Sequence, residues 1–409
     1  MKILIFASMK QFFQFSTLRK APLLLRIVVA IFLGIVLGMV LPLWAVRMMA
    51  TFSQLFSNFL QFLIPFIIIG LVTPAIADIG KGAGRLLFFT ALLAYLDTVF
   101  AGSLSYMTSI SLFPSMIGSV SGAHSLEQGM EVAAYFNISI PPLMDVMTAL
   151  ITAFMVGLGL ASFRSPALKR GFEEFKSIVV GTIECAIIPL LPIYICSIFI
   201  AMTYTGTAWH VLQVFVSIIL VIFALHIFLL LFQYFVAGLL VRRNPMSLLG
   251  NMMPAYFTGL GTSSSAATIP VTLKQTLKNG VSQEVAGFVV PLCATIHLSG
   301  SALKITACAV ALMLMQDMPF TTLQFVGFIL MLGIMMVAAP GVPGGAIMAA
   351  LGVLASMLGF GQDEQAMMIA LYIAMDSFGT ACNVTGDGAI ALVVERFFHR
   401  KTPAHGVRV

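Results

Sequence analysis

The sequence predicts an all-α polytopic membrane protein with eight transmembrane helices plus two opposed re-entrant helical hairpins. Three observations carry that prediction. Of 409 residues, 60% are hydrophobic and only 9% are charged, whereas soluble domains carry roughly 25% charge. Apolar segments of the ~20 residues that cross a bilayer recur near 24–46, 55–77, 86–110, 143–163, 178–203, 211–240, 285–315 and 365–394. Flanking the seventh of these are two further apolar stretches, each interrupted in its middle by glycine, serine or proline.

The formal net charge of +6 reports topology and implies no nucleic-acid partner, because the basic residues sit in short loops between apolar runs. Lys2, Lys10, Arg19, Lys20 and Arg26 precede or open the first span, and Lys81 and Arg85 follow the second. Arg164, Lys169, Arg170 and Lys176 follow the fourth, Arg242 and Arg243 the sixth, and Arg396, Arg400, Lys401 and Arg408 the eighth. The alternate loops carry almost no basic residues: 111–142 has Glu127 and Glu131 but no Lys or Arg, 204–210 has no charge, and the later ones show only Asp317, Asp363 and Glu364. By the positive-inside rule both termini are expected in the cytoplasm, on a multi-pass protein of the inner membrane. Residues 1–20 are expected to form an interfacial segment, since the apolar run before Lys10 is too short for a signal peptide. Five cysteines (Cys185, Cys196, Cys293, Cys308, Cys382) lie in apolar segments without CxxC or zinc spacing, so they read as small buried side chains.

Arg243 and Lys274 enclose residues 244–273, too short a stretch for two crossings, yet both flanks are basic. The chain there must enter and return. Its middle, "GLGTSSSAATIP", marks the tip of a re-entrant hairpin over 244–276. The stretch from 319 to 361 breaks at "PGVPGG" (340–345) and has no basic residue at either end, so a second hairpin entered from outside keeps the charge alternation. Irregular backbone at that depth survives only beside protein or water, which points to a binding site between the two tips.

The polar residues converge on the same place. On one helix Asp376, Thr380, Asn383 and Asp387 fall within an arc of about 60°. Burying a carboxylate at the bilayer centre costs ~2.5–3.5 kcal/mol or more, so this stripe is expected to face a cavity, the alternative being a hydrogen-bonded seam to a neighbouring helix. Ser263, Ser264 and Ser265 at the first tip supply hydroxyls and half-helix N–H groups suited to a solute carboxylate, or they form only a polar turn. The second tip is either a plain helix break or a gate of bare backbone. In the seventh span, "ATIHLSGSALK" (294–304) offers His297, Ser299, Ser301 and Lys304, with Gly300 as the expected unwinding point. His297 alone fits a satisfied core residue as well as a functional one. Lys304 lies too deep to reach water, with Asp97 of "AYLDTVFAG" and Glu184 as candidate partners.

These segments together resemble the dicarboxylate/amino acid:cation symporter family, which includes the glutamate transporters. The resemblance runs through "LIPFIIIGLVTPAIADIG" (63–80), "TSSSAATIPVT" (262–272), "PGVPGGAIM" (340–348) and "NVTGD" (383–387). It implies an inverted-repeat, elevator-type homotrimer importing a small solute with sodium, or protons, and no enzyme activity. Scaffold helices would occupy 21–82 and 113–210, and a moving domain 83–112 and 211–396, ahead of a tail at 397–409. Ser263, Ser264, Ser265, Ser301 and the Val342 to Gly345 backbone would hold the solute's carboxylate, Asp376 its amino group, and Thr380 and Asn383 would complete the pocket. Asp387 would bind Na+, with Asn383, Cys293, Thr295 and His297 as further candidate ligands.

The sequence also departs from that family. The last-span arginine that grips an acidic side chain is Gly379 here, which removes a bidentate partner and favours a neutral amino acid. Lys304 offers a cation from another direction, which keeps a dicarboxylate open. The family's Asn-Met-Asp-Gly-Thr is His297-Leu298-Ser299-Gly300-Ser301 here, and the second tip is one residue short. Fewer coupled sodium ions are expected, or protons moving through His297 and Asp97. An intramembrane aspartyl protease, a passive channel and a transport-impaired, receptor-like relative stand as the other classes.

Overall fold

The computed structural model describes residues 23–80, 85–121, 132–163, 165–206, 208–341 and 343–398. The expectations for residues 1–20, Lys81, Glu127, Glu131, Arg164, Val342 and 399–409 lie outside the described residues. Among the described residues every regular element is a helix.

Helices α1 (Leu23–Val40) and α2 (Leu43–Gly80) meet at Leu41 and Pro42. The first span therefore ends several residues before position 46, and the second starts well before 55. Proline 42 sets this boundary, since the residue before a proline is driven out of the helical region. Helix α3 is Arg85–Ser121 and α4 is Val146–Ser162, the latter capped by Asp145, whose carboxylate accepts the Thr148 N–H at 2.9 Å. The fifth span starts upstream of its predicted bound: α5 (Pro166–Thr182) runs through a π-helical turn at Ile183–Ile187 into α6 (Ile188–Tyr204). Pro189 explains the turn, because its ring displaces the carbonyl one turn earlier and it has no N–H to donate. Helix α7 is Ala208–Val241.

Among the described residues, five continuous stretches suffice by length and apolar composition to cross a membrane: Leu43–Ala77, Arg85–Ile117, Pro166–Tyr204, Leu212–Val241 and Gln283–Met315. At a rise of 1.5 Å per residue, α1 and α4 reach only about 25 Å, the short end of the spanning range.

Both interrupted stretches fold back on themselves. Helices α8 (Pro245–Thr262) and α9 (Ser265–Lys278) are joined by two residues at the tip. At the other end, the Asn279 side chain donates to the Leu248 carbonyl at 3.0 Å, and Asn251 donates to Asn279 Oδ1 at 2.9 Å. Entry and exit therefore share one end of the molecule. Helices α12 (Thr322–Ala338) and α13 (Gly345–Leu358) repeat the layout, with Gln324 Nε2 donating to the Met357 carbonyl at 2.6 Å. Between the hairpins, α10 (Gln283–Ile296) and α11 (Ser299–Met315) run from the base of the first to the base of the second, ~50 Å at the helical rise. The two hairpins thus enter from opposite ends, and their tips touch: Ser264 Oγ donates to the Gly341 carbonyl at 3.2 Å.

The seventh span breaks at His297 and Leu298, two residues before the expected point. Gly300 instead lies inside the first turn of α11. A Cβ there would come within 2.8 Å of the Cys382 Cβ, so its role is close packing. The last span is also divided, into α14 (Gln362–Ala374) and α15 (Asp376–Phe398), bent by 62°.

Candidate functional site

The first tip is built by capping. Ser263 closes α8 in the left-handed conformation (φ 51°), uncommon outside glycine and asparagine. Its hydroxyl shares a 2.7 Å hydrogen bond with that of Ser377. Ser264 is the N-cap of α9, accepting the Ala267 N–H at 3.4 Å, and Ser265 is its first residue. The second tip turns at Gly344 (φ 74°), a conformation that glycine adopts without a Cβ penalty. Both α9 and α13 thus begin at the meeting point of the tips, which brings the positive ends of two helices together there.

Below the tips the expected stripe of α15 is buried, with Asp376, Thr380, Asn383 and Asp387 each at most 6% exposed. Ser263, Ser265, Ser301, Asp376, Thr380 and Asn383 line one cavity of about 20 Å³. That is room for about one water molecule. A solute of amino-acid size does not fit into it. Asn383 is held at both ends of its amide: its Oδ1 accepts the Gly300 N–H at 2.8 Å, and its Nδ2 donates to Ser301 Oγ at 3.1 Å, which also accepts from Tyr372 at 3.0 Å.

Lys304 pairs with neither candidate partner. Its Nζ lies 3.2 Å from Asp376 Oδ1, 3.2 Å from the Met375 carbonyl and 3.6 Å above the centre of the Tyr372 ring. Asp376 Oδ2 meanwhile accepts the Gly344 N–H at 2.8 Å. Glu184 is exposed in the π-helical turn. The bend at Met375 accounts for the difference, since it brings the start of α15 over the lysine, a juxtaposition that linear spacing does not reveal.

Asp97 belongs to a second array. His297 Nε2 lies 2.8 Å from Asp97 Oδ2, and His297 Nδ1 lies 2.8 Å from Asp387 Oδ1. A neutral imidazole has one N–H, so two such contacts require a second proton, on the ring or on a carboxyl group. Gln233 Nε2 holds Asp97 Oδ2 at 2.7 Å and Ser299 Oγ at 3.2 Å. The two aspartates stand on opposite edges of an imidazole rather than face to face, which removes the proton-sharing dyad of an aspartyl protease.

The remaining cation candidates divide. Thr295 is exposed, and its hydroxyl donates to the Leu292 carbonyl of its own helix at 2.8 Å, so its side chain points away from the array. Helical phase puts it there. Cys293 is fully buried in an apolar cluster, and its carbonyl accepts the His297 N–H at 2.9 Å. Gly345 is buried at the start of α13, and Gly379 is packed against Lys304.

Sequence reasoning missed Gln233, Tyr372, Ser377 and His226. His226 Nε2 lies 2.9 Å from the Gly300 carbonyl. One signal was available: His226 and Gln233 are seven residues apart, two turns, on one face of an otherwise apolar helix.

Comparison with known proteins agrees with this architecture. Residues 23–397 match the model of the sodium:dicarboxylate symporter family. Among similar proteins are the serine/threonine transporters SstT of Acinetobacter baumannii strains AYE and AB307-0294. Each is 25% identical over 388 residues, which cover 91% of this chain and 96% of the relative. With a match across nearly its whole length and a polar site enclosed by two opposed hairpins, the chain belongs to the sodium:dicarboxylate symporter family and is a transporter, not an enzyme.

Proposed function

We propose that this protein is a secondary active symporter that imports a small carboxylate-bearing solute, driven by sodium, through an elevator motion within a homotrimer of the inner membrane. The observation that carries this reading is the meeting of two half-helix N-termini and the polar face of α15 around one small closed cavity. Positive helix ends favour a carboxylate, and Ser263, Ser265, Ser301, Thr380 and Asn383 supply its hydrogen bonds. The cavity's size requires a hairpin tip to open for loading, which gives alternating access its gate. Scaffold segments 21–82 and 113–210 would stay fixed while 83–112 and 211–396 move. The relatives' names make serine and threonine the first amino acids to test, and dicarboxylates remain alongside them.

Coupling is proposed to differ from a purely sodium-driven carrier. A second proton shared among Asp97, His297 and Asp387 would offset the negative charge that Asp387 offers a sodium ion, so His297 weakens that cation site or relays a proton. The test is substrate uptake into proteoliposomes under separately imposed sodium and pH gradients. The proton relay predicts that a pH gradient alone drives some uptake, and that His297→Gln and Asp97→Asn remove this component. Full uptake driven by sodium alone, unaffected by both substitutions, refutes the relay and leaves the transport reading standing.

A further inference from the structure

Asp376 is the acid at the pocket that would receive a solute's amino group, yet both of its oxygens are already engaged. One faces the Lys304 ammonium at 3.2 Å and the other accepts the Gly344 N–H at 2.8 Å. Lys304 is fully buried, and the Tyr372 ring, 3.6 Å away at its centre, adds a cation–π contact. A Cβ on Gly379 would stand 2.7 Å from Nζ and 2.9 Å from Cε, so the absent side chain at 379 is what lets the lysine reach this position. The remaining polar lining consists of hydroxyls, one amide and helix N-termini. None of these is an anionic acceptor for an incoming ammonium.

We propose that Lys304 is a specificity-determining residue, a tethered ammonium in the amino-group subsite, so that the preferred solute is a small carboxylate without an amino group. An amino acid would have to bring its own ammonium beside Nζ, where like charges repel, or pull a buried ion pair apart. A hydroxy- or dicarboxylate meets neither obstacle. Instead it keeps Asp376 neutralised and finds donors at both tips.

This inference rests on the transport reading, and the following experiment separates the two. Purified full-length protein is assayed for ligand-induced thermal shift, and in proteoliposomes for uptake, with three matched pairs: L-lactate and L-alanine, L-glycerate and L-serine, L-malate and L-aspartate. Within each pair only a hydroxyl replaces the ammonium. Wild type is expected to bind and move the hydroxy member of at least one pair in clear preference. Lys304→Met, which frees Asp376, is expected to shift the amino-to-hydroxy preference by about tenfold or more toward the amino acid. The double variant Lys304→Met/Asp376→Asn leaves no charge in the subsite and is expected to discriminate little between pair members. The wild-type arm decides even if neither variant folds. Amino members bound as well as or better than their hydroxy partners, or a preference unchanged in Lys304→Met, overturns the assignment while leaving a transporter. Failure of all six to bind or move overturns the proposed solute class and leaves the transporter assignment, which rests on the family match, standing.

Discussion

His297 changes what an aspartate can do. Asp387 reads as a cation ligand from its place in "NVTGD", but its Oδ1 is engaged by an imidazole that also holds Asp97. Substituting Asp387→Asn removes one charge-assisted hydrogen bond, worth ~1.5–3 kcal/mol, together with the carboxylate itself. We expect a lower thermal midpoint and no sodium-dependent stabilisation by substrate; a sodium-dependent shift of wild-type size would rule Asp387 out as the cation ligand. At this scale legibility followed chain direction. The stripe of Asp376, Thr380, Asn383 and Asp387 was readable because helical phase fixes which face they share. The partner of Lys304 was not, because it depends on a bend at Met375 that no local pattern announces. Gln233 was passed over for a related reason. A single amide in an apolar helix gains meaning only from the acid it meets in space.

At the level of elements, broken segments were the most legible part of the fold. Charge on both flanks of a stretch too short for two crossings forced the first hairpin, and its base contacts at Asn279 and Leu248 bear this out. Boundaries between continuous spans were less legible, since apolar residues run through Leu41 and Pro42 without a polar loop. Close helix contacts were legible only in part. Gly34 and Gly38 repeat at a four-residue interval that lets backbones approach in membranes, and α1 uses them against α6. A Cβ on Gly38 would lie 2.6 Å from the Thr203 Cβ and 2.7 Å from the Ile200 carbonyl oxygen. Gly38→Leu is therefore expected to cost ~1–3 kcal/mol by overpacking and to lower the melting midpoint in detergent. The exposed neighbour Met39→Leu should have little effect. An unchanged midpoint for Gly38→Leu would show that α1 does not pack on α6 as described.

Across the whole molecule, α1, α2, α4, α5 and α6 pack mainly among themselves, and α3 packs with the helices from α7 onward. A cleft of about 520 Å³ lies between the two groups, lined by Ser57, Tyr194 and Gln362 among others. Beside it is a cluster of side-chain amides. Gln362 Nε2 donates to Asn58 Oδ1 at 2.8 Å, Asn58 Nδ2 donates to Asn137 Oδ1 at 2.6 Å, and Gln54 Nε2 donates to Gln362 Oε1. If one group slides past the other, the Gln362 contacts to Asn58 and Gln54, which bridge the two groups, must break in every cycle. A disulfide between Gln54→Cys and Gln362→Cys, in a background without the native cysteines, is expected to stop uptake, with recovery on reduction. Normal uptake by the cross-linked protein would contradict the elevator motion.

The central claim is that the cavity between the two tips carries solute uphill at the expense of an ion gradient. The most direct measurement is accumulation of a radiolabelled substrate, chosen from the matched-pair screen, inside sealed proteoliposomes under an inward sodium gradient. The account predicts an internal concentration above the external one, which dissipates when an ionophore collapses the ion gradients. Equilibration without accumulation, as through a channel, or tight binding with no flux, as in a receptor, would contradict it.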